Sequence, residues 1–249
     1  MFLAVDIGNS RINTAVFEGD SIVSTLCFDT LKNTDSDFYK EKLSVISEKF
    51  GITDCAIISV VDGIDKVIKI ACDEVFGIVS VILGVKHLSE IKIGGSNPES
   101  VGMDRAANVY AVLRHPLPAI VVDIGTAITL DVLNEKKEFL GGVIMPGINM
   151  ELRALVDGTS KLPYIEPKES PQAIGNTTET CILSGVIRGT ASAIDGLLEQ
   201  CSEELGGCKT VILTGGQAEL ISKHMKHSYS SLDKGLTLLG IKRIYDSMG

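Results

Sequence analysis

The 249-residue sequence predicts an α/β fold of two duplicated halves, each built on a mixed sheet, and three observations carry that expectation. The tetrapeptide Val-Asp-Ile-Gly occurs twice, with Asp6 and Gly8 in the first copy and Asp123 and Gly125 in the second, close to the midpoint. Each copy closes an apolar run and opens a small polar turn, Asn9-Ser10 in the first and Thr126-Ala127 in the second. An apolar-leaning strand then follows each turn, at 12–17 and at 128–133. A turn glycine lacks Cβ, so phosphates can lie against its backbone, and the Asp beside it can hold a metal ion or a metal-bound water. Two such turns in two similar halves suggest a cleft that grips a polyphosphate from both sides.

The elements follow in order. Residues 2–5 and 12–17 read as strands, and 21–28 as a third that completes an antiparallel meander. Residues 37–50 carry Phe38, Leu43, Ile46 and Phe50 at helical spacing and stop before Gly51, which predicts a helix. The continuous apolar run 55–60 is expected of a buried parallel strand. A helix over Ile64–Phe76 and a strand over 79–83 come next, giving a mixed sheet with helices on its faces. Residues 103–113 read as a helix, which His115-Pro116-Leu117-Pro118 stops. That prolyl stretch sets the expected boundary, with a first domain at 1–116 and a second at 117–249. The second half restarts with strands at 119–122, 128–133 and 141–145. Helices are expected over 150–155, 181–201 and 218–224, with a buried strand over Thr210–Thr214 running into Gly215-Gly216 and a closing helix over 236–245. Outside its opening, neither half reads as a repeat of the other. Two ribonuclease-H-like halves facing a central cleft is the architecture these elements predict.

Composition excludes several classes. Each half is long enough to bury its own core. The amino terminus has neither a basic start nor a long apolar stretch, so no signal peptide is expected. No apolar run approaches the roughly 18–20 residues of a membrane span, so a cytoplasmic protein without membrane contact is expected. Net charge is −9 and there is no basic stripe, which argues against nucleic acid as a partner. Six cysteines show no Cys-x-x-Cys pair and read as small reduced core residues. His224 and His227 stand at a spacing that could share a helix face, but no third ligand accompanies them, and they read as surface residues.

The chemistry concentrates at four places. Asp6 and Asp123 occupy equivalent points, and in phosphoryl transfer a protein mainly positions groups and neutralises charge with cations that bridge the phosphates. One carboxylate beside a hydrated magnesium ion and another holding a second cation suit that work; a turn-capping role is the alternative for each. Ser10, Asn13 and Thr126 supply hydroxyl and amide groups around the turns, and Arg11 a fixed positive charge unless it faces outward. Gly102-Met103-Asp104-Arg105 falls at a helix start, where the dipole favours a carboxylate and Asp104 could simply cap. The adjacent Arg105 offers a fork suited to a substrate carboxylate, so the pair describes a site for an anionic alcohol. Gly141–Gly147 reads as a strand ending in a Pro-Gly turn, and Thr214-Gly215-Gly216 as a strand–glycine–helix element open to a nucleotide's base or ribose. The phosphate-loop motif Gly-x-x-x-x-Gly-Lys-[Ser/Thr] and the Gly-x-Gly-x-x-Gly dinucleotide motif are both missing.

Assembled, these motifs resemble the type III pantothenate kinases of the acetate and sugar kinase/Hsp70/actin superfamily. The resemblance rests on Asp6-Ile7-Gly8-Asn9-Ser10, Asn97-Pro98 with Val101-Gly102-Met103-Asp104-Arg105, and Asp123-Ile124-Gly125-Thr126-Ala127. It continues through 141–147, Thr159 with Leu162-Pro163, 175–185, Thr214-Gly215-Gly216 and 236–240. It implies ATP-dependent phosphorylation of the primary hydroxyl of pantothenate, the first step towards coenzyme A, with Mg2+ accompanying the ATP. By similarity Asp6, Ile7, Gly8, Asn9, Ser10, Arg11, Ile12 and Asn13 form the first phosphate loop, and Thr126 belongs to the ATP site. Asp104 matches the general base, and Gly102, Met103, Asp104 and Arg105 the pantothenate segment. Asp123 matches the ligand of the family's monovalent cation, potassium or ammonium. Thr178, aligned by Gly175 and Gly185 in preference to Thr177, matches a threonine that reaches substrate from the neighbouring subunit of a homodimer. Gly95 stands where the family usually has a pantothenate-contacting tyrosine. A non-catalytic regulatory relative, or a kinase of another small hydroxy acid, are the alternatives the same residues allow.

Overall fold

The first apolar run forms strand β1 (Phe2–Ile7), and its alternation decides what each face of the first sheet meets. Leu3, Val5 and Ile7 lie in one core, so Phe2, Ala4 and Asp6 point to the opposite face. In this computed structural model, which describes residues 1–31, 34–95 and 97–249, β1 pairs antiparallel with β2 (Arg11–Glu18), and β2 with β3 (Ser21–Asp29). On its other side β1 runs parallel to β4 (Asp54–Ser59), which carries the two-residue β5 (Val81–Ile82). The order is β3-β2-β1-β4-β5.

Helices α1 (Ser36–Ser47) and α2 (Ile64–Phe76) cover the Leu3–Val5–Ile7 face with Tyr39, Leu43, Ile46, Ile64, Ile68 and Ala71. The Asp35 carboxylate caps α1 by accepting from the Asp37 N–H at 3.1 Å, satisfying a donor that the first turn leaves unpaired. Gly77, at φ 66°, closes α2 in the left-handed conformation that glycine accepts without strain. A two-residue strand β6 (Lys92–Ile93) precedes helix α3 (Met103–Ala111).

A second sheet repeats the first. Strand β7 (Ala119–Ile124) pairs antiparallel with β8 (Ala127–Leu133), which pairs with β9 (Glu138–Pro146). On its other side β7 runs parallel to β10 (Thr210–Thr214), which carries β11 (Ser231–Leu232). Five of its strands, in the order β9-β8-β7-β10-β11, repeat the first sheet strand for strand, senses included. Even the irregularity in the hairpin recurs, at Val16/Phe17 and at Val132/Leu133. Ile120, Val122 and Ile124 face a core completed by α4 (Ile148–Asp157), α5 (Thr178–Leu183), a π-helical turn (Ser184–Arg188), α6 (Gly189–Glu204) and α7 (Ala218–Ser222). Thr178–Glu204 is thus one 27-residue helix, long and apolar enough to cross a membrane by composition. Its Ile182, Leu183, Val186, Ile187, Ala191, Ile194 and Leu198 are instead spent on this core.

Chain contacts divide the molecule into Met1–Arg114 with Gly235–Gly249, and His115–Lys234. The closing helix α8 (Leu236–Asp246) therefore belongs with the first sheet, whereas the expected span 117–249 had put it with the second. Phe2 and Tyr245 stack at 4.9 Å, and the Tyr245 hydroxyl donates to Asp54 Oδ1 at 2.7 Å, so α8 lies on the Phe2 face of the first sheet. Other expectations shift less. Helix α7 ends at Ser222, so His224 and His227 share no helix, and both are half-buried rather than at the surface. All six cysteines are free thiols, but Cys27 and Cys181 are exposed, not core.

Candidate active site

The two acidic positions are equivalent in three dimensions within their own sheets. Asp6 is the penultimate residue of β1 and pairs with Asn13 across the hairpin and Ile58 in the parallel neighbour. Asp123 is the penultimate residue of β7 and pairs with Thr129 and Thr214 in the corresponding positions. Both are half-buried at strand ends, one residue before the turns themselves. Each lies on the face opposite its large aliphatic core, because Val5 and Ile7, or Val122 and Ile124, point the other way.

The first turn is closed by the Gly8 N–H donating to Arg11 O at 3.0 Å, and a Cβ on Gly8 would stand 3.1 Å from that oxygen. Thr30 ties the turn to β3's end, its hydroxyl donating to Gly8 O at 2.7 Å and its N–H to Ser10 O at 3.1 Å. Asn9, Ser10 and Arg11 are exposed, and the Asn13 amide donates to Asp6 Oδ2 at 3.4 Å. Ile7 and Ile12 are fully buried, so of the eight loop residues these two can offer a ligand only their backbone.

The second turn is one residue shorter, closed by the Gly125 N–H donating to Ala127 O at 3.1 Å; Ala127 is already strand. Two glycines press on it. A Cβ on Gly147 would lie 2.2 Å from Thr126 O and 2.5 Å from Gly125 O. Gly215, at φ +95°, would put a Cβ 2.5 Å from Asp123 Oδ1 and 2.6 Å from Ile124 N. The strand–glycine elements that looked like separate motifs therefore converge on Asp123 and Thr126. Their glycines are required by backbone approach, a need that sequence reading alone assigned to turn chemistry or a nucleotide.

Asp104 occupies the first turn of α3. Its Oδ1 accepts from the Arg105 N–H at 2.8 Å, and a Cβ on Gly102 would come within 2.5 Å of the same oxygen, so the carboxylate folds back over Gly102. Burial pushes the Asp104 carboxyl above its ordinary value of 3.8, against the opposing pull of the Arg105 N–H and guanidinium. A first-turn carboxylate is normally stabilised as an anion; here desolvation wins. Met103 is buried at the start of α3. Gly95 is exposed at φ +90°, a backbone that a tyrosine would adopt only under strain.

Thr177 and Thr178 separate clearly. Thr177 is the N-cap of α5, its hydroxyl accepting from the Thr180 N–H at 3.2 Å and pairing with the Thr180 hydroxyl. Thr178 is the first helical residue and is exposed. Both border an open cavity of about 1070 Å³ with Leu155, Leu162, Ile182 and Val186 on its apolar side and Glu151 on its polar side. Burial pushes the Glu151 carboxyl up, partly offset by the hydrogen bond from the Thr190 hydroxyl at 3.2 Å. Among the described residues no group of three or more His, Cys, Asp or Glu side chains converges to hold a metal. A cation here would rest on one carboxylate with carbonyl and hydroxyl oxygens, a donor set suited to hard cations.

Two sheets of the same order, each with an acidic strand end beside a glycine turn, define a ribonuclease-H-like protein of the actin-like ATPase type. Solved structures agree on the fold: a Baf family protein from Campylobacter jejuni superposes with a TM-score of 0.64 at 21% identity, covering 99% of this chain and 98% of that one. The ethanolamine utilization protein EutJ from Carboxydothermus hydrogenoformans gives 0.57 at 17%, covering 97% and 89%. The family model for type III pantothenate kinase matches residues 2–200. The type III pantothenate kinase of Persephonella marina is 36% identical over 255 residues, covering all of both chains, and that of Shouchella clausii 38%, covering 99% of each. The chain belongs to the type III pantothenate kinase family.

Proposed function

We propose that the chain transfers the γ-phosphoryl group of ATP to the primary hydroxyl of pantothenate, giving 4'-phosphopantothenate and ADP at the entry to coenzyme A biosynthesis. Family membership over the full length supports the reaction. The observation that carries the mechanism is the partly desolvated carboxylate of Asp104 next to Arg105 at the start of α3. Asp104 Oδ1 is engaged by the Arg105 N–H, and Oδ2 takes the hydroxyl proton as the new O–P bond forms. A base whose pKa is raised toward the working pH accepts that proton more readily than an ordinary aspartate. Arg105 supplies the fork for the pantothenate carboxylate.

The first turn, Gly8 to Arg11, meets the phosphates with its backbone and the exposed Asn9, Ser10 and Arg11. Asp6, held by Asn13, suits a hydrated Mg2+ that neutralises charge on the ATP phosphates when bound. Asp123, with the turn oxygens around Thr126, suits a single potassium or ammonium ion. Thr126 contacts ATP. The active form is a homodimer in which Thr178 of one protomer reaches its partner's substrate, consistent with the Thr177 hydroxyl being committed to the α5 cap. The protein works in the cytoplasm. Asp104→Asn tests the assignment: turnover is expected to fall at least ~100-fold with little change in ATP affinity, and parental turnover would remove Asp104 as the base.

A further inference from the structure

Helix α3 carries Asp104 and Arg105 on its first turn, and α8 packs along the rest of it. A Cβ on Gly240 of α8 would stand 2.0 Å from Ala107 O and 2.6 Å from Ala107 C, so the two helix backbones touch where only glycine fits. One residue further along α3, the Thr237 hydroxyl donates to Asn108 Oδ1 at 2.8 Å. Asn108 is 1% exposed, so this bond is made away from water, where a polar tie is geometrically demanding. Beyond it the Tyr110 hydroxyl donates to Ser247 Oγ at 2.8 Å, and the Arg243 guanidinium donates to Ala111 O. Every one of these ties comes from the last fifteen residues, Gly235–Gly249, which join the first unit from the far end of the chain.

Asn108 lies one helical turn after Asp104, on the same side of α3. Of these ties the Thr237–Asn108 bond lies nearest the first turn; Tyr110 and Ala111 lie at the other end of the helix. We infer that Thr237 is a positioning residue for the phosphoryl transfer: through Asn108 it fixes the axial placement of α3 and so the reach of the Asp104 carboxylate. The inference rests on the reading of Asp104 as the base. The contact of Gly240 with Ala107 sets how near the helices approach, but it leaves sliding along the contact, which a directional hydrogen bond resists.

The experiment compares Thr237→Val, which keeps the shape and removes the hydroxyl, with Thr237→Ser, which keeps the hydroxyl, Tyr110→Phe and Asp104→Asn. Steady-state rates with pantothenate and Mg-ATP are measured well below each variant's melting temperature. Thr237→Val is expected to lower kcat roughly 10-fold or more, since a misplacement of about 1 Å costs up to ~100-fold, with the KM for ATP within about twofold of the parent. Thr237→Ser should restore kcat, and Tyr110→Phe should lose melting temperature without a comparable loss of kcat. A Thr237→Val kcat at the parental value while Asp104→Asn is inactive overturns this inference alone. Equal losses in Thr237→Val and Thr237→Ser, or losses that merely track melting temperature across all variants, overturn it too. Parental turnover in Asp104→Asn overturns both it and the base assignment. If Thr237→Val does not fold, Thr237→Ala carries the same comparison with Thr237→Ser.

Discussion

Replacing Gly147 by alanine probes how tightly the second turn is held. Gly147 precedes α4 with φ −79°, so alanine brings no backbone strain and the effect is steric. The added Cβ would lie 2.2 Å from Thr126 O, 2.5 Å from Gly125 O and 2.8 Å from Thr126 C, whereas real Cβ contacts do not fall below 3.0 Å. The gap must therefore open by about 0.8 Å (3.0 less 2.2), and the obstacles are backbone atoms that have no rotamer to escape into. Overpacking of this kind costs about 1–3 kcal/mol of stability. A shift approaching 1 Å in a positioned turn costs up to ~100-fold in rate. Urea unfolding should show the loss of stability, and ADP release at varied ATP should show a raised KM for ATP, a lowered kcat, or both. Gly196→Ala is the control: nothing lies within 4 Å of its Cβ position in the middle of α6. That variant should gain up to about 1 kcal/mol from helix propensity and keep parental kinetics. A Gly147→Ala protein with parental stability and parental ATP kinetics would refute the close approach.

Other outcomes follow from the same geometry. Burial raises the Asp104 carboxyl, so ionising it costs the folded chain; that cost is absent below 3.8 and fully present once pH passes the raised value. Asp104→Asn should accordingly melt higher than the parent at pH 7, with the difference closing toward pH 4 in calorimetry; a variant that melts lower at pH 7 contradicts the desolvation. The acid limb of the parental rate profile should lie above the ordinary aspartate value, since the base must be ionised, and Asp104→Asn should lack that limb. Asp123→Ala should abolish activation by potassium, and a variant that potassium still activates removes Asp123 as the cation's ligand. Gly95→Tyr should not lower the KM for pantothenate, because φ +90° would cost a tyrosine about 1–3 kcal/mol; tighter pantothenate binding would show that the loop accommodates the ring.

Much of this was legible in the sequence because it is written in short-range pattern. The continuous apolar runs of β1, β4 and β10 and the amphipathic α2 identify themselves. Repetition of Val-Asp-Ile-Gly located both acidic strand ends, and the sheets confirm their equivalence through matched pairings. The deeper repeat, the shared strand order, was not visible because it resides in pairing partners and not in residue identity. The return of α8 to the first unit was missed for a related reason: an apolar stripe shows that a helix buries a face, not which sheet receives it. Strands β6 and β11, at two residues each, are too short for any periodicity. The glycines at 147, 215 and 240 are explained only by atoms distant in sequence. Ile7, Ile12 and Met103 sit within matched motifs yet are buried, because a motif records a backbone path as well as the side chains that meet a ligand.

Incubating the purified protein with Mg-ATP and pantothenate, with potassium or sodium as the sole monovalent cation, and following phosphopantothenate by mass alongside ADP puts the whole account at risk. It predicts one phosphopantothenate formed per ADP released, with substantial turnover in potassium and little in sodium. Binding of ATP without product in either salt would contradict it.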